Sequence, residues 1–228
     1  MPVYYVAEAL PRIGPRLYRE FRRVAPLPGG RVATAVNAML TLPSLDPDYR
    51  SDWAAAAVTL RSVTTSGPVA TVDLSRWLSL GAAAESMAVQ QLVHTVTAAD
   101  PAITSVRILV GGAVPSSGHL DLRGALTRAR ALDTLALVWI LDPTQGASSG
   151  SPVTVRIYGT GFEGSIPLKV FRAGAEVTST FVTTRMGELA EASTTIALSP
   201  GTYELRAYNE NMESGALEVW DSKTFTVR

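Results

Sequence analysis

Residues Ala88 to Gly112, AVQQLVHTVTAADPAITSVRILVGG, constrain the fold of this chain more than any other stretch. Val89, Leu92, Val93 and Val96 recur at i, i+3, i+4 and i+7, which is one apolar stripe of a helix. Pro101 follows, where proline's missing N–H would end the helical ladder. Ile103 to Val110 then reads as a strand, with Val106, Ile108 and Val110 alternating against Ser105, Arg107 and Leu109 before Gly111 and Gly112. A helix that feeds a strand through a short turn must lay one face on a sheet, so this part of the chain is a mixed α/β layer.

The residues before it extend the same grammar. Val3 to Val6 and Leu17 to Val24 read as strands, and Val32, Val36, Met39 and Leu40 give a first helix over Arg31 to Leu40. Val58 to Val63 and Val69 to Leu74 read as paired strands around Ser66-Gly67-Pro68. The predicted order is strand, strand, helix, strand, strand, helix, strand, with two helices on one sheet face. After Gly112 and an arginine-bearing connection over Leu120 to Leu132, only short strands follow. They are Leu137–Leu141, Val153–Tyr158, Leu168–Arg172, Thr178–Thr183, Ser193–Leu198, Thr202–Tyr208 and Lys223–Val227. Such spacing predicts a β-sandwich. The domains are therefore expected at 1–133 (α+β) and 134–228 (all-β). Tyr203, in PGTYEL, sits where the tyrosine of an immunoglobulin corner sits, two residues before a cysteine position that Leu205 fills here. Its hydroxyl is expected to bond a backbone group a few residues upstream.

Composition removes several function classes. The net charge is zero, with 13 basic and 10 acidic residues over 1–133 and 7 and 10 over the remainder, so a general nucleic-acid binder is not expected. There is no cysteine for a disulfide, a thiolate nucleophile or a thiolate metal site. The longest apolar run, Leu135 to Leu141, falls far short of the ~18 residues of a membrane span. No basic n-region of a signal peptide precedes VYYV.

Four stretches invite chemistry. Gly159-Thr160-Gly161-Phe162-Glu163-Gly164 matches G-x-G-x-x-G, but Ile166-Pro167-Leu168 reads as a strand and not as the helix that a pyrophosphate needs, so a sandwich loop is expected. His94 and His119 lack a histidine or carboxylate at ligand spacing, and read as a satisfied helix histidine and a solvated loop histidine. Asn209 to Ser214 is oxygen-rich but lacks the calcium-loop pattern, and reads as a solvated hairpin tip. Tyr18, Arg19, Phe21, Arg22 and Arg23 form the densest basic-aromatic cluster. Arginine and aromatic residues are the types enriched at binding hot spots. Tyr18, Arg19, Arg22 and Arg23, with Trp77 and Trp220 as surface aromatics, are the candidate partner contacts. No catalytic, cofactor-binding or metal-ligating set is nominated.

The VYYV opening, ATVDLS (Ala70–Ser75), the QQLVHTVTA helix and the SVRILVGG strand together resemble the GerMN domain of bacterial sporulation and germination proteins. LDP (Leu141–Pro143), SSGSPVTVRIYGTGFEGSI (Ser148–Ile166) and PGTYELRAY (Pro200–Tyr208) are similar to the immunoglobulin-like domain found beside it. The resemblance implies a GerMN fold like that of ring-building modules, in an exported and often lipid-anchored envelope protein without known catalytic residues. The function expected is non-catalytic scaffolding through a protein partner of the envelope or cell wall, or a second copy of the chain. The alternative is a cell-wall or carbohydrate-binding module that holds peptidoglycan or another glycan. Membrane contact is expected only through a lipid anchor outside this chain.

Overall fold

The computed structural model describes residues 1–228, which divide into two compact units. One comprises Met1–Glu8 and Pro15–Thr134, the other Ala9–Gly14 and Leu135–Arg228. The first is α+β and the second all-β, as expected.

β1 (Pro2–Leu10) and β2 (Gly14–Phe21), which belong to the first unit except at their Ala9–Gly14 turn, pair as a hairpin. Then come α1 (Gly30–Thr41), a single turn α2 (Asp52–Ala55), β3 (Leu60–Ser66), β4 (Val69–Leu74), α3 (Ala82–Ala99) and β5 (Ser105–Val110). β3 and β4 are antiparallel, whereas β4 and β5 are parallel with α3 as their crossover. The element order follows the periodicity, but the strands do not make one sheet. β1–β2 stays apart from β3–β4–β5.

The reason lies in α3. Its predicted stripe is buried, and so is every residue from Gln91 to Thr97 around it. On the side away from the valines, Thr95 Oγ1 accepts the Tyr4 N–H at 3.1 Å and Gln91 Nε2 donates to the Tyr4 carbonyl at 2.9 Å. Two helix side chains thus satisfy β1 where a neighbouring strand would otherwise do so. The indole N–H of Trp53 donates to the Ala88 carbonyl at 2.8 Å and ties α2 to the same helix. The connection after Gly112 continues along these elements. Leu126 bridges Val106, and the Arg128 guanidinium donates to Thr97 Oγ1 at 2.7 Å.

One turn, α4 (Ala131–Thr134), closes the first unit, and the main segment of the second opens with β6 (Val138–Asp142). It continues through β7 (Ser148–Ser149), β8 (Val153–Gly159), β9 (Ser165–Arg172), β10 (Ala175–Thr183), β11 (Ala190–Ile196), β12 (Gly201–Glu210) and β13 (Leu217–Val227). A five-stranded sheet, β10-β9-β12-β13-β7, faces a three-stranded one, β11-β8-β6. Alternate residues fill the space between them: Ile166, Leu168 and Val170 from β9, Leu205 and Phe225 from β12 and β13, and Val153, Val155 and Ile157 from β8. All seven predicted strands are present, joined by the two-residue β7. The Tyr203 hydroxyl donates to the Ser199 carbonyl at 2.9 Å, which is the corner expected. Leu205 is fully buried in the place of the immunoglobulin cysteine.

Candidate functional site

The glycine motif is accounted for by packing. A Cβ on Gly159 would lie 2.4 Å from the Leu137 carbonyl oxygen, one on Gly161 1.8 Å from that of Ser165, and one on Gly164 2.4 Å from that of Thr184. These glycines let three backbones approach at one end of the sandwich, and strand β9 follows as read. The oxygen-rich loop is the β12–β13 hairpin tip with Glu213 and Ser214 exposed, as expected, but Asn209 at its base is buried. Its Oδ1 accepts the Phe162 and Glu210 amides at 3.2 and 3.0 Å, and Asn211 Oδ1 accepts the Glu213 amide at 2.9 Å. These side chains shape the turns of the loop.

His119 is exposed in its loop, as expected. His94 is a correction: it is 1% exposed and neither ring nitrogen has a hydrogen-bond partner. It lies on α3 with the Tyr4 ring 5.2 Å away. Burial, reinforced by the positive charge of Arg128, pushes its pKa from the ordinary 6.5 down to about 3, so it is neutral at physiological pH.

The basic-aromatic stretch divides into two halves. Strand β2 ends at Phe21, short of the expected Val24, so Arg22 and Arg23 lie beyond it. Tyr18 is 1% exposed and packs its ring 4.7 Å from that of Tyr49; it belongs to the core. Arg22 is committed internally, donating to Glu20 Oε2 at 3.0 Å, the Tyr5 hydroxyl at 3.1 Å and the Pro43 carbonyl at 2.6 Å. Burial outweighs that guanidinium at Tyr5, whose phenol is pushed up to about 12. Glu20, itself buried, also accepts the Leu45 amide at 2.9 Å and the Asp46 amide at 3.0 Å. Phe21 is 45% exposed, with the Arg19 guanidinium 4.9 Å from its ring centre. Arg23 is exposed.

The two tryptophans are placed differently from their sequence role. Trp77 is half-buried, edge-on to Trp53 at 5.6 Å, and donates to Glu85 Oε1 at 2.5 Å. Trp220 is 5% exposed and is not a surface aromatic. Val219 pairs with Tyr208 and Asp221 with Ala207, which leaves Trp220 in a β-bulge. The bulge advances the alternation by one residue, so Trp220 and Asp221 are both buried. Asp221 then sits inside the sandwich, accepting the Ile140 amide at 2.7 Å and pairing with the Lys223 ammonium at 2.7 Å. Neither this pair nor Glu20 was nominated from sequence; a charged residue in strand register gives no warning that a bulge or a loop will enclose it.

A groove borders the exposed half of the stretch. Arg23, Val24, Ala25 and Leu27 face Thr34, Asn37, Ala38 and Thr41 of α1, with Leu42 at the end.

Residues 2–115, half of the chain, match Germane, described as sporulation and spore germination. The chain belongs to the Germane family. Residues 137–216 of this Germane chain match Gmad2, the immunoglobulin-like domain of bacterial spore germination. Among solved structures it is similar to the tandem GerMN domains of the sporulation protein GerM from Bacillus subtilis, at 21% identity and a TM-score of 0.46. That match covers 59% of this chain and 46% of the other, so the Germane chain spans about half the length of that structure. It is also similar to the fibronectin(III)-like modules of CbhA from Clostridium thermocellum, at 15% identity and a TM-score of 0.28, over 40% of this chain and 95% of that one. CopC from Methylosinus trichosporium OB3b matches at 16% identity and a TM-score of 0.30, over 40% and 92%. No curated protein matches. No helix is long and apolar enough to cross a membrane.

Proposed function

We propose that this Germane chain is a non-catalytic module of the cell envelope that holds a protein partner during sporulation or germination. One observation supports it most: the basic-aromatic stretch leaves Phe21 on the surface with the Arg19 guanidinium against its ring, while Arg22 is spent inside the fold on Glu20, Tyr5 and Pro43. Aromatic and arginine side chains presented together are the composition of an interface anchor. The pairing of a Germane domain with a germination immunoglobulin-like domain supports the cellular setting. An extracytoplasmic location, with any lipid anchor outside this chain, is part of the same reading.

Crosslinking and pull-down from envelope extracts tests it. The wild-type chain is expected to recover the same partner reproducibly, and Phe21→Ser with Arg19→Glu to lose it while keeping the circular dichroism of the parent. Failure to recover any reproducible partner, or retention of that partner by the double variant, rejects the reading. If purified peptidoglycan alone retains the chain, the wall-binding alternative replaces it.

A further inference from the structure

The groove beside α1 has a volume of about 330 Å³, at the lower end of the ~300–1,000 Å³ of small-molecule sites. Its helix wall is Thr34, Asn37, Ala38 and Thr41, spaced i, i+3, i+4 and i+7, so one stripe of α1 faces it. The opposite wall is the run from Arg23 to Leu27, which belongs to no helix or strand and carries Pro26, a residue that disfavours helix. The wall is pinned where Thr34 Oγ1 accepts the Leu27 amide at 3.0 Å while donating to the Gly30 carbonyl at 2.8 Å. At the other end Thr41 Oγ1 donates to the Asn37 carbonyl at 2.8 Å.

Two polar groups of the lining remain without a partner in the fold: the Arg23 guanidinium and the Asn37 carboxamide. The nearest carboxylate in sequence, Glu20, is committed to Arg22 and to the Leu45 and Asp46 amides. None of the lining residues is acidic. Val24, Leu27, Ala38 and Leu42 supply the apolar surface.

We infer that this groove captures the free C-terminal carboxylate of a peptide that ends in an apolar residue. A fork of guanidinium donors with no competing acid fits a carboxylate and repels a cation. One cation is too little charge for a polyanion, whose affinity grows with the number of neutralised phosphates. A simple aliphatic acid would satisfy Arg23 but leave Asn37 idle. A carboxamide donates and accepts at once, which is what a peptide group requires. The apolar wall of Val24, Leu27, Ala38 and Leu42 suits an apolar terminal side chain. This inference stands apart from the envelope-partner reading, since it uses Arg23 and Asn37 and not Phe21 or Arg19.

The test is a titration of the full chain, followed by amide NMR shifts, with acetyl-Ala-Ala bearing a free carboxylate, its C-terminal amide, and butyrate. The free-carboxylate peptide is expected to give saturable shifts confined to 23–27 and 34–42, with the amide and butyrate at least ~10-fold weaker. Arg23→Gln is expected to abolish the response. Arg23→Lys, which keeps the charge and loses the fork, should fall between, and Asn37→Leu should erase the advantage of the peptide over butyrate. Arg23 is exposed, so these variants leave the core untouched. The inference is overturned if no saturable shift occurs by about 10 mM peptide, or if the amide binds as well. It is equally overturned if butyrate matches the peptide or if Arg23→Gln retains affinity.

Discussion

His94 makes the first unit acid-sensitive between its ordinary and its folded pKa. Its ring is buried on α3 with both nitrogens unpartnered, so the imidazolium would have no acceptor. In the folded protein the pKa is held at about 3, against an ordinary 6.5 in the unfolded chain. Between those values the unfolded state binds the proton and the native state does not, so stability must fall as the pH falls. The slope approaches about 1.4 kcal/mol per pH unit for one proton below the unfolded pKa, so acidifying from about pH 7 to about pH 5 costs roughly 2 kcal/mol. Ordinary carboxyl pKa values of about 4 lie below this range, and His119 is the other histidine. The assay is urea-dependent hydrogen exchange of α3 peptides, read by mass spectrometry, at about pH 7 and about pH 5. Wild type should lose roughly 2 kcal/mol between the two conditions. His94→Leu removes the titrating group and two orphaned nitrogens, so it should lose much less and be at least as stable at neutral pH. Parallel losses in the two proteins would refute the burial argument.

Three further outcomes follow from buried polar groups and close backbones. Glu20→Ala removes the acceptor of Arg22 and of the Leu45 and Asp46 amides, and should cost about 3–5 kcal/mol with loss of exchange protection at those two amides; Glu20→Gln, which keeps one acceptor oxygen, should cost less. Asp221→Ala leaves the Lys223 ammonium buried beside an unpaired Ile140 amide and should destabilise the sandwich by about 3–5 kcal/mol, whereas adding Lys223→Met should recover most of that in a denaturation double-mutant cycle. Gly161→Ala would place a Cβ 1.8 Å from the Ser165 carbonyl oxygen and should abolish the cooperative melt of the second unit, while Gly150→Ala, which has open space, should stay within about 0.5 kcal/mol of the parent.

The residues predicted for the site were read from density of type, and that signal is only partly spatial. Arg23 was legible because arginines and aromatics cluster at 18–23. Asn37 was not, because nothing in α1's own pattern says that a return segment will run along its polar stripe. The same reasoning sorted Tyr18 and Arg22 with Arg19 and Arg23, although strand alternation and Glu20 draw the first two inward.

Periodicity by itself determined the two grammars of this chain: the helix-and-strand order of the first half and the seven strands of the second; the Tyr203 corner is written in the six adjacent residues PGTYEL. Those features depend on local spacing, which a sequence states directly. Tertiary structure alone decided that Gln91 and Thr95 would serve β1 as a missing strand, that His94 would be sealed without a partner, and that a one-residue bulge would turn Trp220 and Asp221 inward together. Each of these depends on which distant backbone arrives beside the side chain, and a two-residue alternation carries no memory of an inserted residue once the partner strand has set the register.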